Sequence, residues 1–315
     1  MTVRVYRWDD ASAPVLTGQS GSRTALLKAC LVTGYGAKTA AGWSNPYSGT
    51  NIEAFTNSSI GGTGYGILVT DTNAQYASMV GYESITGGGV LTNQFPTSAQ
   101  VATGLVIFSS VTADATPRPW LLVADEKRFY LWIGHNVTTT TGLATTGYAQ
   151  LFFAGDLIGL NAADPYRFMV VGGTTAAATT NYVGGIASNV NNGLTVQGHY
   201  LARNYAGATI SKQCGKTASN LQTGATIMGT AGVSYPDQVS SGMLLSKVYV
   251  NDADTSYQIR GLMPGLFNPL HNLPGNPGDV FSGVGPLSGK SFILLDVPSG
   301  TNRGRVVLET SSTWE

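Results

Sequence analysis

Histidine is the side chain that most often supplies a base or a metal ligand near neutral pH, and this chain carries three, His135, His199 and His271. They fall on three separate segments with no H-x-x-x-H or paired His–Cys spacing, so the pattern points to no zinc centre. His271, between Leu270 and Asn272 in a proline-rich stretch, reads as a partner for loop backbone. The glycine clusters are no more chemical. GGTGYG at 61–66 precedes a strand instead of opening a helix, so it offers no helix N-terminus to a phosphate. Gly215-Lys216-Thr217 and Gly289-Lys290-Ser291 end like a phosphate loop but lack its upstream glycine, and both read as turns.

Glycoside hydrolysis needs two carboxyl groups roughly 5–9 Å apart. The candidates are Asp114, Asp125, Glu126, Asp156, Asp164 and Asp279. Asp125 and Glu126 stand beside Lys127 and Arg128, which reads as a charged turn meeting water, and Asp156, after FFAG, reads as a turn cap. Asn251, Asp252 and Asp254 resemble part of an oxygen-rich cation loop but lack its glycine and closing glutamate. No catalytic, cofactor-binding or metal-ligating residue is assigned, and no enzymatic activity is expected.

Charge is scarce. The chain has 17 basic and 17 acidic residues among 315, about 11%, with a net charge of zero, against roughly 25% in an average soluble protein. Apolar residues at 43% exclude disorder as the cause. A neutral chain offers no field for nucleic acid and little repulsion between copies, which favours association. No run of about 18 apolar residues is present, so no membrane span is expected. MTVRVYRWDD lacks the apolar core of a secretory signal, so synthesis in the cytoplasm is expected. Cys30 and Cys214 lie far apart, and Cys30, inside a helical stretch, reads as a free buried thiol.

The elements that must hold these residues are mostly strands. One helix is expected at about 22–33, capped by Ser22, striped by Ala25, Leu26, Ala29, Cys30 and Val32, and closed by Gly34. After it, short β-like runs alternate with glycine and Asx turns: 64–70, 76–82, 104–108, 151–153, 166–171, 196–202, 225–228, 243–250, 258–262, 291–297 and 305–308. The clearest hairpin runs from Trp120 to Ile133, and its near-continuous apolar arms imply strands covered on both faces. The expected fold is therefore mainly β: antiparallel sandwich or barrel-like sheets, one N-terminal helix and long Gly/Thr-rich loops. Three sections are expected: a β-rich 1–171, a low-complexity loop 172–195, and a β domain 196–315 with a proline-rich loop from Arg260 to Asp279. One continuous domain is the alternative.

Trp43 and Trp314 fall in loop and terminal positions, where contact with a neighbouring subunit is the natural reading of an exposed indole. With the 260–279 loop, the expected interface set is Trp43, Arg260, Phe267, Pro269, His271 and Trp314.

Three long stretches carry a resemblance: VYRWDDASAPVLTGQSGSRTALLKACLVTGYGAKTAAGW (3–43), ADATPRPWLLVADEKRFYLWI with FFAGD (113–133, 152–156), and IRGLMPGLFNPLHNLPGNPGDVFSG, GKSFILLDV and ETSSTW within 259–314. In that order the chain resembles a group of virion structural proteins of tailed bacteriophages. The resemblance implies a non-enzymatic particle component, present in many copies and partnered by copies of itself and by other virion proteins. It implies location in the virion, and the aromatic-rich segments place the tail or baseplate ahead of the head. The alternatives are a capsid decoration or cement protein, or a fibre module that binds a receptor or a surface polysaccharide through its aromatics. No site residue transfers with the resemblance.

Overall fold

The structure, a computed structural model, describes residues 2–135, 149–174, 198–209, 241–252, 258–269, 275–299 and 302–314, with 143, 215, 216, 236 and 239 besides. In chain order the elements begin with β1 (Arg4–Arg7) and α1 (Ser22–Lys28), which runs on through a π-helical turn, Ala29–Thr33. Strands β2 (Ser44–Gly49), β3 (Ile52–Thr56), β4 (Gly66–Thr70), β5 (Tyr76–Tyr82), β6 (Ser84–Ile85), β7 (Leu91–Thr92) and β8 (Leu105–Phe108) follow. The hairpin β9 (Trp120–Ala124) and β10 (Arg128–Gly134) leads to β11 (Ala149–Asp156), β12 (Ile158–Gly159), β13 (Phe168–Val171) and β14 (His199–Leu201). The last group is β15 (Gly215–Lys216), β16 (Leu245–Asn251), β17 (Ile259–Pro269), β18 (Val280–Ser282), β19 (Ser291–Ser299) and β20 (Asn302–Glu309).

Among the described residues, three large antiparallel sheets result, besides the two-stranded β6-β7. The order β1-β9-β10-β11-β13-β14 forms one, β2-β3-β4-β5-β8 a second, and β15-β16-β17-β20-β19-β18, with β12 on β17, a third. Side chains of a strand alternate between its two faces, and here both faces of the first sheet are covered. Trp120, Leu122, Ala124, Phe129, Leu131 and Ile133 point into a core shared with α1 and the second sheet. Leu121, Val123, Tyr130 and Trp132 point the other way, into a core shared with Val250, Leu266, Leu295 and Val306 of the third sheet. The unbroken apolar arms of the hairpin are thus the inner layer of a three-layer stack.

The expected sections 1–171 and 196–315 do not separate as sheets. β14 pairs with β13 across that interval, and residues from both sides build the second core. The expected strand at 225–228 and most of the 172–195 stretch lie outside the described residues.

Two local expectations are corrected. Ser22 does not cap the helix: its hydroxyl donates to the carbonyls of Thr17 and Gln19. The cap comes from Asp71, just beyond β4, whose Oδ2 accepts the N–H groups of Arg23 (2.8 Å) and Thr24 (3.1 Å). Second, the first half of the proline-rich segment is strand: β17 continues to Pro269. Its pairing with β16 jumps from Leu262 opposite Tyr249 to Phe267 opposite Lys247. The residues between form a bulge that holds Pro264, which has no N–H to give a ladder, and Gly265 at φ +67°. The Pro264 carbonyl accepts the Tyr130 hydroxyl (2.8 Å), so the bulge ties the third sheet to the first.

Gly155 fixes how closely β10 and β11 approach. It sits opposite Arg128 at φ +140°, and a Cβ there would overlap backbone atoms of both Lys127 and Arg128. Gly155→Ala is expected to cost about 2–4 kcal/mol, since the strain and the overlap have no flexible atom to absorb them. A lowered urea midpoint with an unchanged slope is the expected readout. A midpoint equal to that of the parent would remove this role.

Candidate functional site

The chain leaves the first sheet at Asp156, turns through Leu157, and joins the third sheet as β12 beside β17. At this crossing a pocket of about 330 Å³ opens, with the β9–β10 turn on one side and the C-terminal segment on another. Lys127, Arg128, Asp156 and Arg167 provide its charged lining, with Gly61 and Asn161 at other positions and Leu157, Ile158 and Trp314 as apolar wall.

The β9–β10 turn brings two of these cations together. Asp125 accepts the N–H groups of Lys127 (2.8 Å) and Arg128 (2.9 Å) through Oδ1 and lies 3.3 Å from Arg128 Nε through Oδ2. This overturns the expectation of a solvated turn: Asp125 and Arg128 are buried. The 57–63 loop covers it, with Ser58 N–H donating to the Glu126 carbonyl and Asn57 Nδ2 to that of Lys127. A buried turn needs its polar groups satisfied inside the protein, and the Asp125 carboxylate does much of this.

Asp156 is buried as well and is saturated by the same loop. It accepts Asn57 Nδ2 (3.1 Å), Thr63 N–H (2.9 Å) and Thr63 Oγ1 (2.7 Å). Arg167 Nε is 3.9 Å away, and its remaining nitrogens donate to the carbonyls of Asp164 and Gly61. Burial pushes the Asp156 carboxyl up from its ordinary value, against the hydrogen bonds from Thr63 and the charge of Arg167. Burial lowers Lys127, and the neighbouring charge of Arg128 adds to this. Among the described residues, Nε and Nη1 of the buried Arg128 guanidinium make no hydrogen bond, Nε meeting Asp125 only as an ion pair, and Asn57 Oδ1 receives none.

The residues expected at an interface sit elsewhere than expected. Trp43 is buried, stacks edge-on against Phe129 (5.5 Å), and donates Nε1–H to the Asp125 carbonyl (3.0 Å). Trp314 is buried on the other face of the same sheet, edge-on to Tyr130 (5.6 Å), with Nε1–H on the Glu309 carbonyl (2.9 Å). Gly265 makes room for it, since a Cβ there would lie 2.6 Å from the indole Cδ1. Both tryptophans are therefore core anchors whose polar tips are satisfied within the chain, the ordinary fate of a buried indole.

Arg260 is an internal clamp. Its Nε and Nη2 donate to Asp164 Oδ2 (2.9 and 2.7 Å), and its Nη1 to Asp252 Oδ2 (3.1 Å) and the Arg203 carbonyl (2.9 Å). Phe267 packs with Phe292 on the outer face of the third sheet, and Pro269 is buried at the end of β17. His271 lies outside the described residues. Of the expected set only Trp314 lines the pocket. Nothing in the turn marks the pocket in sequence, because Lys127 and Arg128 stand in a run of four charged residues that reads as a water-facing turn. The FFAGD motif was its one legible trace, a glycine for close approach followed by an acid.

No protein-family profile and no curated protein matches this chain.

Proposed function

We propose that this chain is a non-enzymatic structural subunit of a tailed-phage particle, held in place by apolar and hydrogen-bonded contacts with copies of itself and with other particle proteins. One observation carries the reading: the few charges are spent inside the chain. Among the described side chains every lysine, arginine, aspartate and glutamate is in an intramolecular ion pair except Lys127, Lys247 and Asp279. What faces outward is then close to neutral, and it includes the exposed apolar side chains Val15, Ile60, Val90, Leu160, Tyr205 and Val284. A surface of that kind loses little by being covered, because few charges must be stripped of water. The layered β body supports the same reading, since a repeated subunit needs a rigid shape that closes with its neighbours.

The contacts are expected to be insensitive to salt, unlike contacts made by surface ion pairs. Light scattering behind a sizing column is expected to find multimers of the purified protein at low and at high salt. Mass spectra of intact particles are expected to contain the chain, and cryo-EM of those particles gives its seat on tail or head. A monomer at every concentration, absent from the particles, would overturn the proposal.

A further inference from the structure

We propose that the open edge of β18 is a self-association edge, on which a second copy of this chain pairs its own β18 antiparallel across a two-fold axis. The ladder with β19 fixes which backbone groups are free. Leu294 N–H donates to the Asp279 carbonyl (3.0 Å) and Gly283 N–H to the Lys290 carbonyl (2.8 Å), while Phe281 lies opposite Phe292. An antiparallel pair bonds inward at every second residue, so Val280 and Ser282 turn both N–H and C=O away from β19. Among the described residues no strand lies beyond them. Val280 is 63% exposed, and Ser282 and Val284 are exposed as well.

Open edges are templates for another chain, and folds guard them. Three others here are guarded. On β1, the Val5 carbonyl accepts Lys38 Nζ (3.0 Å), Val3 N–H donates to the Ser312 carbonyl (2.8 Å), and Arg7 N–H to Asp10 Oδ2 (2.8 Å). β2 carries Pro46 within the irregular part of its pairing with β3, and β8 is bridged to Gly173 through Val106. β18 has no proline, charge or bulge.

Self-complementarity selects a second copy as the occupant. One register bonds all the open groups of both strands, with Val280 opposite Ser282 of the second copy and four hydrogen bonds in all. It sets Phe281 against its own copy on the axis, at the close spacing of a non-hydrogen-bonded pair. Phe281 is the half-buried end of an aromatic row on the outer face of the third sheet. It stacks on Phe292 (5.5 Å), which meets Phe267 edge-on (5.6 Å). Pairing continues that row into its copy and covers it. Asp279 falls opposite Gly283 of the second copy, so no acids meet. The contact is isologous and closes as a dimer. The inference deepens the assembly reading and rests on the part of it in which copies meet copies.

Hydrogen exchange of the full chain reads the edge directly. In the purified multimer the Val280 and Ser282 amides are expected to exchange slowly, and after dilution to the monomer at the rate of unbonded amides. Ser282→Pro removes an outward N–H that β19 does not use. It is expected to weaken the contact about a hundredfold, for two hydrogen bonds lost per dimer. Val280→Lys, a charge on the same edge, is expected to weaken it as well. Both variants are expected to keep the parent's circular dichroism, and if Ser282→Pro alters it, Val280→Lys decides. Multimers of the variants at the parent's concentrations, or unprotected amides in the parent multimer, would overturn the edge and leave the assembly reading standing. Protection of the two amides in intact particles alone would give the edge to another protein and overturn self-pairing. A parent monomeric at every concentration and absent from particles would overturn both.

Discussion

Asp71→Ala is expected to destabilise the protein by about 3–5 kcal/mol, the cost of breaking a fully buried ion pair from one side. Asp71 and Arg23 have no exposed side-chain surface. Arg23 donates Nε–H to Asp71 Oδ1 (2.6 Å), Nη1 to Ser109 Oγ (2.8 Å) and Nη2 to the Asn73 carbonyl (2.6 Å). Asp71 also accepts two of the free N–H groups in the first turn of α1, those of Arg23 and Thr24. Removing the carboxylate leaves a buried cation and an uncapped helix together. Asp71→Asn keeps an acceptor without the charge and is expected to lose less. The double replacement Arg23→Met with Asp71→Leu is expected to regain much of the loss, because desolvation of the pair disappears with it. Urea unfolding at neutral pH measures all three. If Asp71→Ala lay within about 1 kcal/mol of the parent, the pair would not hold α1 to the second sheet in the way described.

The second large effect is a loss of stability in mild acid carried by His135. This residue follows β10 directly, is 3% exposed, and meets Phe108 edge-on at 5.2 Å. Burial, with a smaller push from the Arg118 charge, lowers its pKa to about 3. In the unfolded chain the imidazole takes its proton near pH 6.5. Between these values the unfolded state binds a proton that the folded state refuses, so stability falls as pH falls through the window. The full effect is about 4–5 kcal/mol, and its slope is about 1.4 kcal/mol per pH unit. The range from pH 6.5 to 5 is the informative part, because the comparison with a variant lacking the imidazole cancels what the carboxylates contribute to both proteins. The parent is expected to lose about 2 kcal/mol across it relative to His135→Gln. Parallel stability curves for the two proteins would refute this account.

Much of the fold is legible in particular residues. Trp120 to Ile133 shows apolar side chains at consecutive positions, and a strand can bury consecutive positions only if both of its faces are covered; the central layer follows. Gly34, at φ +77°, closes the helical segment where expected. Other elements left no mark because their cause is not local. β2 reads SNPYSG, exposed at alternate positions, and is a strand only because β3 lies beside it. β1 has one fully covered side chain, Tyr6, and is specified by β9. Pro264 and Gly265 argued for a loop by their types, and the bulge in β17 is the exception that accepts both.

The candidate site was less legible than the fold. Four charges in a row, Asp125 to Arg128, ordinarily mean water. The burial of Asp125 and Arg128 depends on a loop nearly seventy residues earlier in the chain and on Asp156, and no pattern within the turn announces either. Trp43 and Trp314 were misplaced for a related reason. A tryptophan between turns looks available until the chain supplies a carbonyl for its N–H, as Asp125 and Glu309 do.

The pairing of β1 with β9 governs the order in which this protein can be made. The partners of residues 4–7, at 121–124, are made more than a hundred residues after them. Until then the N-terminal strand has an unpaired edge, and the two cores cannot close on a sheet that lacks its middle. β13 and β14, at 168–171 and 199–201, lengthen the wait. Contacts this distant in sequence slow folding, because chain entropy is lost before the contacts return anything. The second sheet, built from neighbours between Ser44 and Phe108, is the part able to form early and shelter the waiting strand. The strands β15 to β20 of the third sheet follow β14 in the chain, so the central layer is complete before its second cover exists. Until then it exposes Leu121, Val123, Tyr130 and Trp132, side chains of the most apolar strands in the chain.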